Sequence, residues 1–274
     1  MSSLTVQQKR AAFKALHTQG CFLIPNPWDI GSALFLQSLG FKALASTSSG
    51  FAWSQGKPDG GVAREGVLEH LRALVQATDV PINADFEAGH ATTPEGVAES
   101  VRMVVDTGVA GLSIEDSTGK HESPIREVAD AVARLQAARA AIDASGGDTL
   151  LVGRAENFIV GRADLPDTLA RLKAYAEAGA DCLYAPGIHT REQIVAVVQA
   201  VAPKPVNLLV GSASDLTLDD IAAMGVRRVS VGGALARAAW GGFQRAARIL
   251  VQEGRFDGLA GAASHRELNA LFPR

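Results

Sequence analysis

The chain of 274 residues lacks the features of a secreted, membrane or nucleic-acid-binding protein. Its two cysteines, Cys21 and Cys182, lie far apart in apolar segments, which indicates small core side chains in a reducing compartment rather than reactive thiols. No apolar run approaches the roughly 20 residues that span a bilayer, and the opening MSSLTVQQKR lacks the apolar centre of a signal peptide. The formal net charge is -3 and the basic residues are dispersed. We therefore expect a cytoplasmic protein with no nucleic-acid or membrane partner.

The order of apolar segments predicts eight strands, each followed by a helix. The predicted strands are residues 21–25, 42–47, the stretch 81–90, 110–116, 149–156, 180–186, 204–210 and 226–233. They are largely apolar on both faces, as in a parallel sheet that is covered on both sides. Eight successive βα units favour an α/β protein with a (β/α)8 TIM barrel. A doubly wound open sheet is the alternative, but PNPWDIG after the first strand lacks the Gly-rich phosphate turn of that fold.

The helices between these strands follow the usual start and stop signals. The predicted helices are residues 5–19, 29–40, 62–77, 93–106, 125–145, 164–178, 190–201, 218–224, 234–252 and 264–272. The segment 46–61 is polar and Gly-rich, and we predict a long loop there. No linker or change in composition divides the chain. We predict a single barrel domain over residues 1–274, with 255–274 as a C-terminal helical extension.

The segment PINADFEAGH (81–90) brings two carboxylates to the end of the third strand. Asp85 and Glu87 are two residues apart, and such residues on an extended chain project to the same side. Like charges that are held close together need a cation or a proton between them. Hard oxygen ligands with no His or Cys nearby favour Mg²⁺. A helix cap or a surface turn is the alternative explanation.

Polar side chains also follow other predicted strands, whose carboxyl ends meet at one mouth of a barrel. They are Ser46, Thr47 and Ser48 after the second strand, Glu115 and Asp116 after the fourth, Arg154 and Glu156 after the fifth, and Asn207 on the seventh. The acids would hold a cation, Arg154 would bind a substrate carboxylate, and the Ser-Thr-Ser turn would bind a second carboxylate or an oxyanion. Alternatively, Arg154 only pairs with Glu156 or Glu115. The Ser-Thr-Ser turn would then only satisfy backbone groups, and Asp116 would cap the following turn.

The six histidines have no metal-binding spacing. His90 and His121 lie nearer the predicted mouth than the others. We expect the remaining four to be solvated on helices or loops: His17, His70, His189 and His265.

Four segments together resemble the isocitrate lyase and phosphoenolpyruvate mutase superfamily. They are the Ser…Gly-x-Pro-Asp pattern at 46–59, NADFEAG at 83–89, SIED at 113–116 and VGRAE at 152–156. The resemblance runs along nearly the whole chain in the same order. It implies a (β/α)8 barrel that binds Mg²⁺, with Mn²⁺ as a substitute, and a small 2-oxo or 2-hydroxy carboxylate. It also implies homo-oligomers, either dimers or tetramers, whose subunits exchange their eighth helix.

The resemblance implies metal-site roles for three carboxylates. Asp85 matches the acid closest to the metal. Glu87 stands where many members have Asp, and its longer side chain would reach the metal through water. Glu115 matches a further carboxylate in the hydrogen-bonded shell of the metal.

The same resemblance implies substrate contacts at the barrel mouth. Asp59 matches an Asp near the substrate, Arg154 matches the substrate-binding Arg, and Asn207 matches a polar residue of the seventh strand. Asp85 would border the substrate as well as the metal. A turn that holds a substrate carboxylate is matched by Ser46, Thr47 and Ser48, although members often have Gly at the latter two positions.

The loop after the fourth strand departs from the superfamily. Isocitrate and methylisocitrate lyases share a KRCGH loop whose Cys is the acid, whereas this loop reads STGKHES (117–123), which argues against those two activities. Enzymes that act on phosphonopyruvate have a Lys in a loop beginning EDK, but here Ser117 follows the two acids. Lys120 or His121 is our candidate for the missing group. The sixth strand ends in APG, where lyases for larger diacids have Glu, and this indicates a smaller or different substrate.

These features predict a Mg²⁺-dependent lyase that cleaves or decarboxylates a small 2-oxo or 2-hydroxy diacid, oxaloacetate-like or alkylmalate-like. The cation and the Ser-Thr-Ser turn would stabilise an enolate as its charge develops. The candidate catalytic residues are Asp59, Lys120 and His121. Two alternatives stay open: P–C bond chemistry on phosphonopyruvate, as a mutase or hydrolase, and a barrel that binds a 2-oxo acid with little catalysis.

Overall fold

The computed structural model describes residues 4–272, and within them eight parallel strands form one sheet. The strands are β1 (Phe22–Ile24), β2 (Leu44–Ala45), β3 (Ile82–Asp85), β4 (Gly111–Glu115), β5 (Leu150–Arg154), β6 (Cys182–Tyr184), β7 (Val206–Leu209) and β8 (Arg228–Ser230). They pair in the order β1-β8-β7-β6-β5-β4-β3-β2. The ring closes between β1 and β2, where the backbone N–H of Ala45 donates to the carbonyl of Pro25 at 3.1 Å. The predicted (β/α)8 barrel is confirmed.

Helices alternate with the strands throughout the described chain. They are α1 (Val6–Leu16), α2 (Ile30–Ser38), α3 (Ser48–Ser54), α4 (Arg64–Ala77), α5 (Pro94–Val105), α6 (Val128–Ala144), α7 (Leu165–Glu177), α8 (Arg191–Val201), α9 (Leu218–Ala223), α10 (Ala234–Glu253) and α11 (His265–Leu271), with a short 3-10 helix at Asp257–Leu259. Their starts follow local chemistry, as at α5, where Thr93 caps the helix and Pro94 occupies its first turn. None of the helices in residues 4–272 is both long and apolar enough to cross a membrane.

The amino-terminal helix closes one end of the barrel. Phe13 of α1 is fully buried and packs with Ile24 of β1 and Leu150 of β5 in a cluster beneath the strands. A larger apolar layer fills the space between the strands and the surrounding helices. Because α1 covers the amino ends of the strands, the carboxyl ends form the open mouth.

Two details differ from the sequence predictions. The predicted loop 46–61 contains α3, which forms because Thr47 accepts a hydrogen bond from the backbone N–H of Gly50 and Phe51 stacks on the ring of His70. The prediction that His17 and His70 are solvated is wrong. Burial lowers the pKa of His70 to about 4 and that of His17 to about 3. Both residues lie on helix faces that pack inward, a tertiary effect that local pattern does not show.

Helix α10 and the segment that follows it are mostly exposed. Of the residues of α10, only Ala236 is buried. Large apolar side chains of α10 and its continuation are exposed, among them Phe243 at 62%, Val251 at 82% and Phe256 at 74%. The last helix, α11, lies beside α2.

Candidate active site

The barrel mouth opens into a cavity of about 250 Å³. Seven predicted site residues line it: Ser46, Thr47, Ser48, Asp59, Asp85, Arg154 and Asn207. Two larger surface clefts, of about 490 and 560 Å³, lie beside α10 and at the loop after β7. Neither cleft contains this concentration of carboxylates and guanidinium groups, so the mouth cavity is the candidate site.

Arg154 is the centre of a carboxylate cluster at the mouth. Its Nη1 lies 3.2 Å from Oδ1 of Asp85 and 3.1 Å from Oε2 of Glu115, and its Nε pairs with Glu156. Burial raises the pKa of Glu115 well above its usual range, against the attraction of Arg154, and it raises the pKa of Glu156 in the same way. Arg154 therefore compensates a group of acids that would otherwise repel one another.

Glu87 lies beyond the end of β3, in a turn with unusual backbone geometry. The strand ends at Asp85, and Glu87 and His90 both have φ of 48°, in the left-handed region that favours glycine. The argument that Asp85 and Glu87 share one side of an extended strand therefore does not apply. Both residues nevertheless border one small pocket beside the mouth, and burial, followed by the charge of Asp85, raises the pKa of Glu87 to about 7. His90 Nε2 lies 3.8 Å from Glu87 Oε1.

The Ser-Thr-Ser turn holds Asp85 in place. The hydroxyl of Ser46 accepts a hydrogen bond from the backbone N–H of Asp85 at 2.8 Å, and the N–H of Ser48 donates to Oδ2 of Asp85 at 3.0 Å. The hydroxyl of Thr47 caps α3. Burial, followed by the charge of Asp85, raises the pKa of Asp59. Much of the hydrogen-bonding capacity of this turn thus serves Asp85.

Asp116 supports the site without lining the cavity. Its Oδ1 accepts from the backbone N–H of Glu156 at 2.8 Å, and its Oδ2 accepts from the hydroxyl of Tyr175 at 2.5 Å and from Arg171 at 3.2 Å. Asp116 is 1% exposed, and burial raises its pKa. It therefore anchors the end of β5, and with it the glutamate that pairs with Arg154.

The two predicted loop acids lie outside the cavity. Lys120 and His121 are exposed at the tip of a turn, which is closed by a bridge between Ser117 and Ile125 and by the N–H of Thr118 donating to the carbonyl of Pro124 at 3.0 Å. The structure thus brings together the residues on β2, β3, β4, β5 and β7 but does not bring these two to them.

Asn207 lines the cavity and is hydrogen-bonded within the barrel. Its Nδ2 donates to Oγ of Ser230 at 2.9 Å, and its Oδ1 accepts from Nε of Arg228 at 2.8 Å. Further lining residues were missed from the sequence: Asn26, Asn83, Ser113, Tyr184, Arg228 and Ser230. Strand alternation could have identified Arg228, because the side chains of a barrel strand point alternately toward the surrounding helices and toward the interior.

Comparison with known proteins identifies the family. A family model described as phosphoenolpyruvate phosphomutase matches residues 13–251. The chain belongs to this family. The resemblance to the isocitrate lyase and phosphoenolpyruvate mutase superfamily is thereby confirmed.

Solved and curated members of this family match most of the chain. A crystal structure of a Burkholderia cenocepacia protein, described as a candidate lyase/mutase, is 47% identical and superposes with a TM-score of 0.93, covering 97% of this chain and 96% of that one. An uncharacterized protein of Mycobacterium tuberculosis is 31% identical over 81% of each chain. Oxaloacetate decarboxylase of Paraburkholderia xenovorans is 31% identical over 81% of this chain and 74% of its own length.

The acids of this family member suit Mg²⁺ as a hydrated ion. Within residues 4–272, no three side chains of His, Cys, Asp or Glu are arranged as a complete metal cluster, and the guanidinium of Arg154 lies between Asp85 and Glu115. Mg²⁺ keeps several waters and commonly uses only one or two carboxylates together with the substrate. Burial raises the pKa values of Glu87 and Glu115, and a dication beside these carboxyl groups would favour their ionised forms. The residues present therefore fit this ion.

Proposed function

We propose that the protein is a Mg²⁺-dependent lyase that cleaves or decarboxylates a small 2-oxo or 2-hydroxy dicarboxylic acid. Family membership makes it an enzyme of the carbon–carbon lyase or mutase type. The observation that carries the proposal is the pairing of Arg154 with both Asp85 and Glu115, at a mouth cavity that Asp85 and Arg154 line. The similarity to oxaloacetate decarboxylase supports an oxaloacetate-like substrate.

The cavity residues and the neighbouring carboxylates would hold the metal and the substrate between them. Asp85 would hold Mg²⁺ directly, and Glu87 and Glu115 would hold it through water. When bound, Mg²⁺ would polarise the 2-oxo group and stabilise negative charge that develops on its oxygen. Arg154 would bind a substrate carboxylate through its guanidinium, because paired N–H groups match the two carboxylate oxygens.

The hydrogen bonds around Asp85 would hold the metal-binding end of the cavity in position. Ser46 and Ser48 fix its backbone and carboxylate, so the metal end of the cavity is organised before substrate arrives. Asp59 would border the substrate from the segment that precedes α4, and the substrate would also contact Thr47 and Asn207. Asp116 would act only through Glu156, whose backbone it holds.

Lys120 and His121 remain the proposed source of the acid or base. Both are exposed on the turn after β4, so a catalytic role requires this turn to close over the bound ligand. Closure would also exclude water from a carbanion-like intermediate, which favours cleavage over side reactions.

Phosphonate chemistry is the second candidate. A Burkholderia cenocepacia structure described as a candidate phosphonomutase is 34% identical, with a TM-score of 0.82 over 91% of this chain and 100% of that one. Ser117, in place of the Lys expected after the two acids, weighs against P–C bond chemistry. The third candidate is a protein that binds a 2-oxo acid with little catalysis.

The decisive experiment is a product-release screen. Purified protein is incubated with small 2-oxo and 2-hydroxy acids, including oxaloacetate, alkylmalates and phosphonopyruvate, with Mg²⁺, with Mn²⁺ or with EDTA. Metal-dependent release of pyruvate, carbon dioxide or a cleaved carboxylate supports the lyase. Metal-dependent turnover of phosphonopyruvate alone would instead establish P–C chemistry. Saturable binding with no product for any acid would replace the enzyme proposal with a binding protein.

The exposed α10 supports a homo-oligomer as part of the same proposal. A 20-residue helix with one buried residue leaves Trp240, Phe243 and Val251 exposed, which suits exchange of this helix between subunits. Light scattering after size exclusion should give a dimer or tetramer. Phe243→Asp should lower the assembled fraction, and a monomer in the wild type would remove the proposal.

A further inference from the structure

We infer that Arg228, on the floor of the cavity, is a second anion-binding residue that selects dicarboxylates by binding the carboxylate remote from the metal. The inference rests on the proposed function, since it deepens the specificity of the same site. It is carried by the position of Arg228 and by its partners within the barrel.

Arg228 faces the barrel interior rather than the helices. It is the first residue of β8, is 2% exposed, and lines the cavity together with Asn83 and Asn207. Its neighbour Arg227 lies on the opposite face of the strand, where it donates to the carbonyl of Gly20 at the surface.

Every hydrogen-bond partner of Arg228 in residues 4–272 is uncharged. Nε donates to Asn207, and Nη1 lies 3.3 Å from Oδ1 of Asn83 and 3.4 Å from Nε2 of His17. His17 Nδ1 lies 2.8 Å from the carbonyl of Phe13, so this nitrogen carries the proton and Nε2 is free to accept. Burial keeps His17 neutral by lowering its pKa to about 3.

The charge of Arg228 therefore has no carboxylate beside it, in contrast to the three that surround Arg154. A buried charge without a counter-ion is costly. Within the described chain, Nη2 of Arg228 has no hydrogen-bond partner although the residue borders the cavity. An anion in the cavity would supply both the missing partner and the missing charge.

The spacing along β3 indicates which anion fits. Arg228 is bonded at the level of Asn83, which is two residues before Asp85 on the same strand. A strand rises about 3.3 Å per residue, so the two levels are about 7 Å apart. A short dicarboxylate can place one end at Arg154 and Asp85 and the other at Arg228, whereas a monocarboxylate of the same length leaves Arg228 without its anion.

The competing explanation is structural, because Arg228 also ties β3, β7 and α1 together across the barrel floor. The two explanations differ in ligand preference. A structural residue affects the binding of all acids alike, whereas an anion-binding residue affects only acids with a second carboxylate.

The test measures a preference rather than an affinity. Succinate and butanoate have the same number of carbons and differ by one carboxylate, and both are titrated calorimetrically in the presence of Mg²⁺. Wild type and the matched control Arg227→Met should prefer succinate by about tenfold or more, as a charged hydrogen bond predicts. Arg228→Met should lose most of this preference, and Arg228→Lys should keep part of it. An unchanged preference in Arg228→Met, or no preference in wild type, overturns the inference.

A wild-type measurement covers the case in which Arg228→Met does not fold. In crystals of wild type grown with Mg²⁺ and succinate, a carboxylate within hydrogen-bonding distance of Arg228 Nη2 supports the inference, and succinate bound with both carboxylates elsewhere overturns it. Failure of the proposed function looks different. It would leave the Arg228-dependent preference for succinate intact while no acid gives a metal-dependent product.

Discussion

Nη1 of Arg154 lies 3.2 Å from Oδ1 of Asp85, so the residue proposed to bind substrate pairs with the residue proposed to hold the metal. A dication at Asp85 would compete with this guanidinium for the same carboxylate. Arg154 would then keep Glu115 and Glu156 as partners and offer the freed N–H to an incoming carboxylate. Metal and substrate binding are therefore expected to be coupled, with each favouring the other.

Asp85→Ala should abolish the increase in Tm that Mg²⁺ gives together with a 2-oxo acid. The physical reason is the loss of the directly ligating carboxylate, since stabilisation by a ligand requires binding to the folded state. Thermal unfolding is measured with acid alone, Mg²⁺ alone and both. Asp106→Ala, at the exposed end of α5, is the matched control and should keep the full increase. If Asp85→Ala keeps it as well, the metal is held elsewhere.

Arg154→Lys should weaken binding of the substrate carboxylate by about 1–3 kcal/mol, because a lysine cannot form the paired hydrogen bonds of a guanidinium. Binding of a non-reacting 2-oxo acid is measured calorimetrically at saturating Mg²⁺. Arg255→Lys serves as the control, since Arg255 forms exposed ion pairs far along the chain. Equal affinities of Arg154→Lys and wild type would mean that Arg154 only pairs with the neighbouring carboxylates and does not bind substrate.

Glu87 should make the free energy of unfolding depend on pH. Its folded pKa of about 7 exceeds the usual 4.5, so the folded protein binds this proton more tightly than the unfolded chain does. The resulting stability is fully present below about pH 4.5 and is lost as pH rises through about 7. With a side chain 25% exposed, the loss should be about 1–3 kcal/mol.

Glu87→Gln removes this titration, so its free energy of unfolding should fall less than that of wild type between pH 4.5 and 8. Urea unfolding in EDTA at a series of pH values measures the difference. Glu69→Gln, on an exposed position of α4, should follow wild type. Added Mg²⁺ should reduce the wild-type loss, because a cation favours the ionised carboxylate. Parallel curves for Glu87→Gln and wild type would contradict the raised pKa.

The sequence predicts the barrel well because each strand is a short apolar run, and Asp85, Glu115 and Glu156 lie at or just after the ends of such runs. It does not predict α3, which depends on Thr47 capping the helix and on Phe51 stacking against His70 from another helix. Asn207 is predicted as a site residue, but its hydrogen bond to Arg228 is not, because the pairing of the neighbouring strands β7 and β8 decides it. The sequence pattern thus locates the helices, the strands and the strand ends. The hydrogen-bond partners of buried polar side chains depend instead on how neighbouring strands are aligned.

The turn after β4 offers the sharpest test of the chemistry, because its two candidate groups lie outside the cavity. If the turn closes over bound ligand, the double variant Lys120→Met with His121→Gln should lower kcat by about 10²–10⁴, the usual contribution of an acid or base, and leave the Kd of a non-reacting acid unchanged. Single-turnover kinetics separates the chemical step from release. Lys173→Met with His189→Gln, on helix and loop positions outside the cavity lining, is the matched control. Full turnover in the first double variant would move the acid to a group already in the mouth. Asp59, whose pKa burial raises, would then be the next residue to replace.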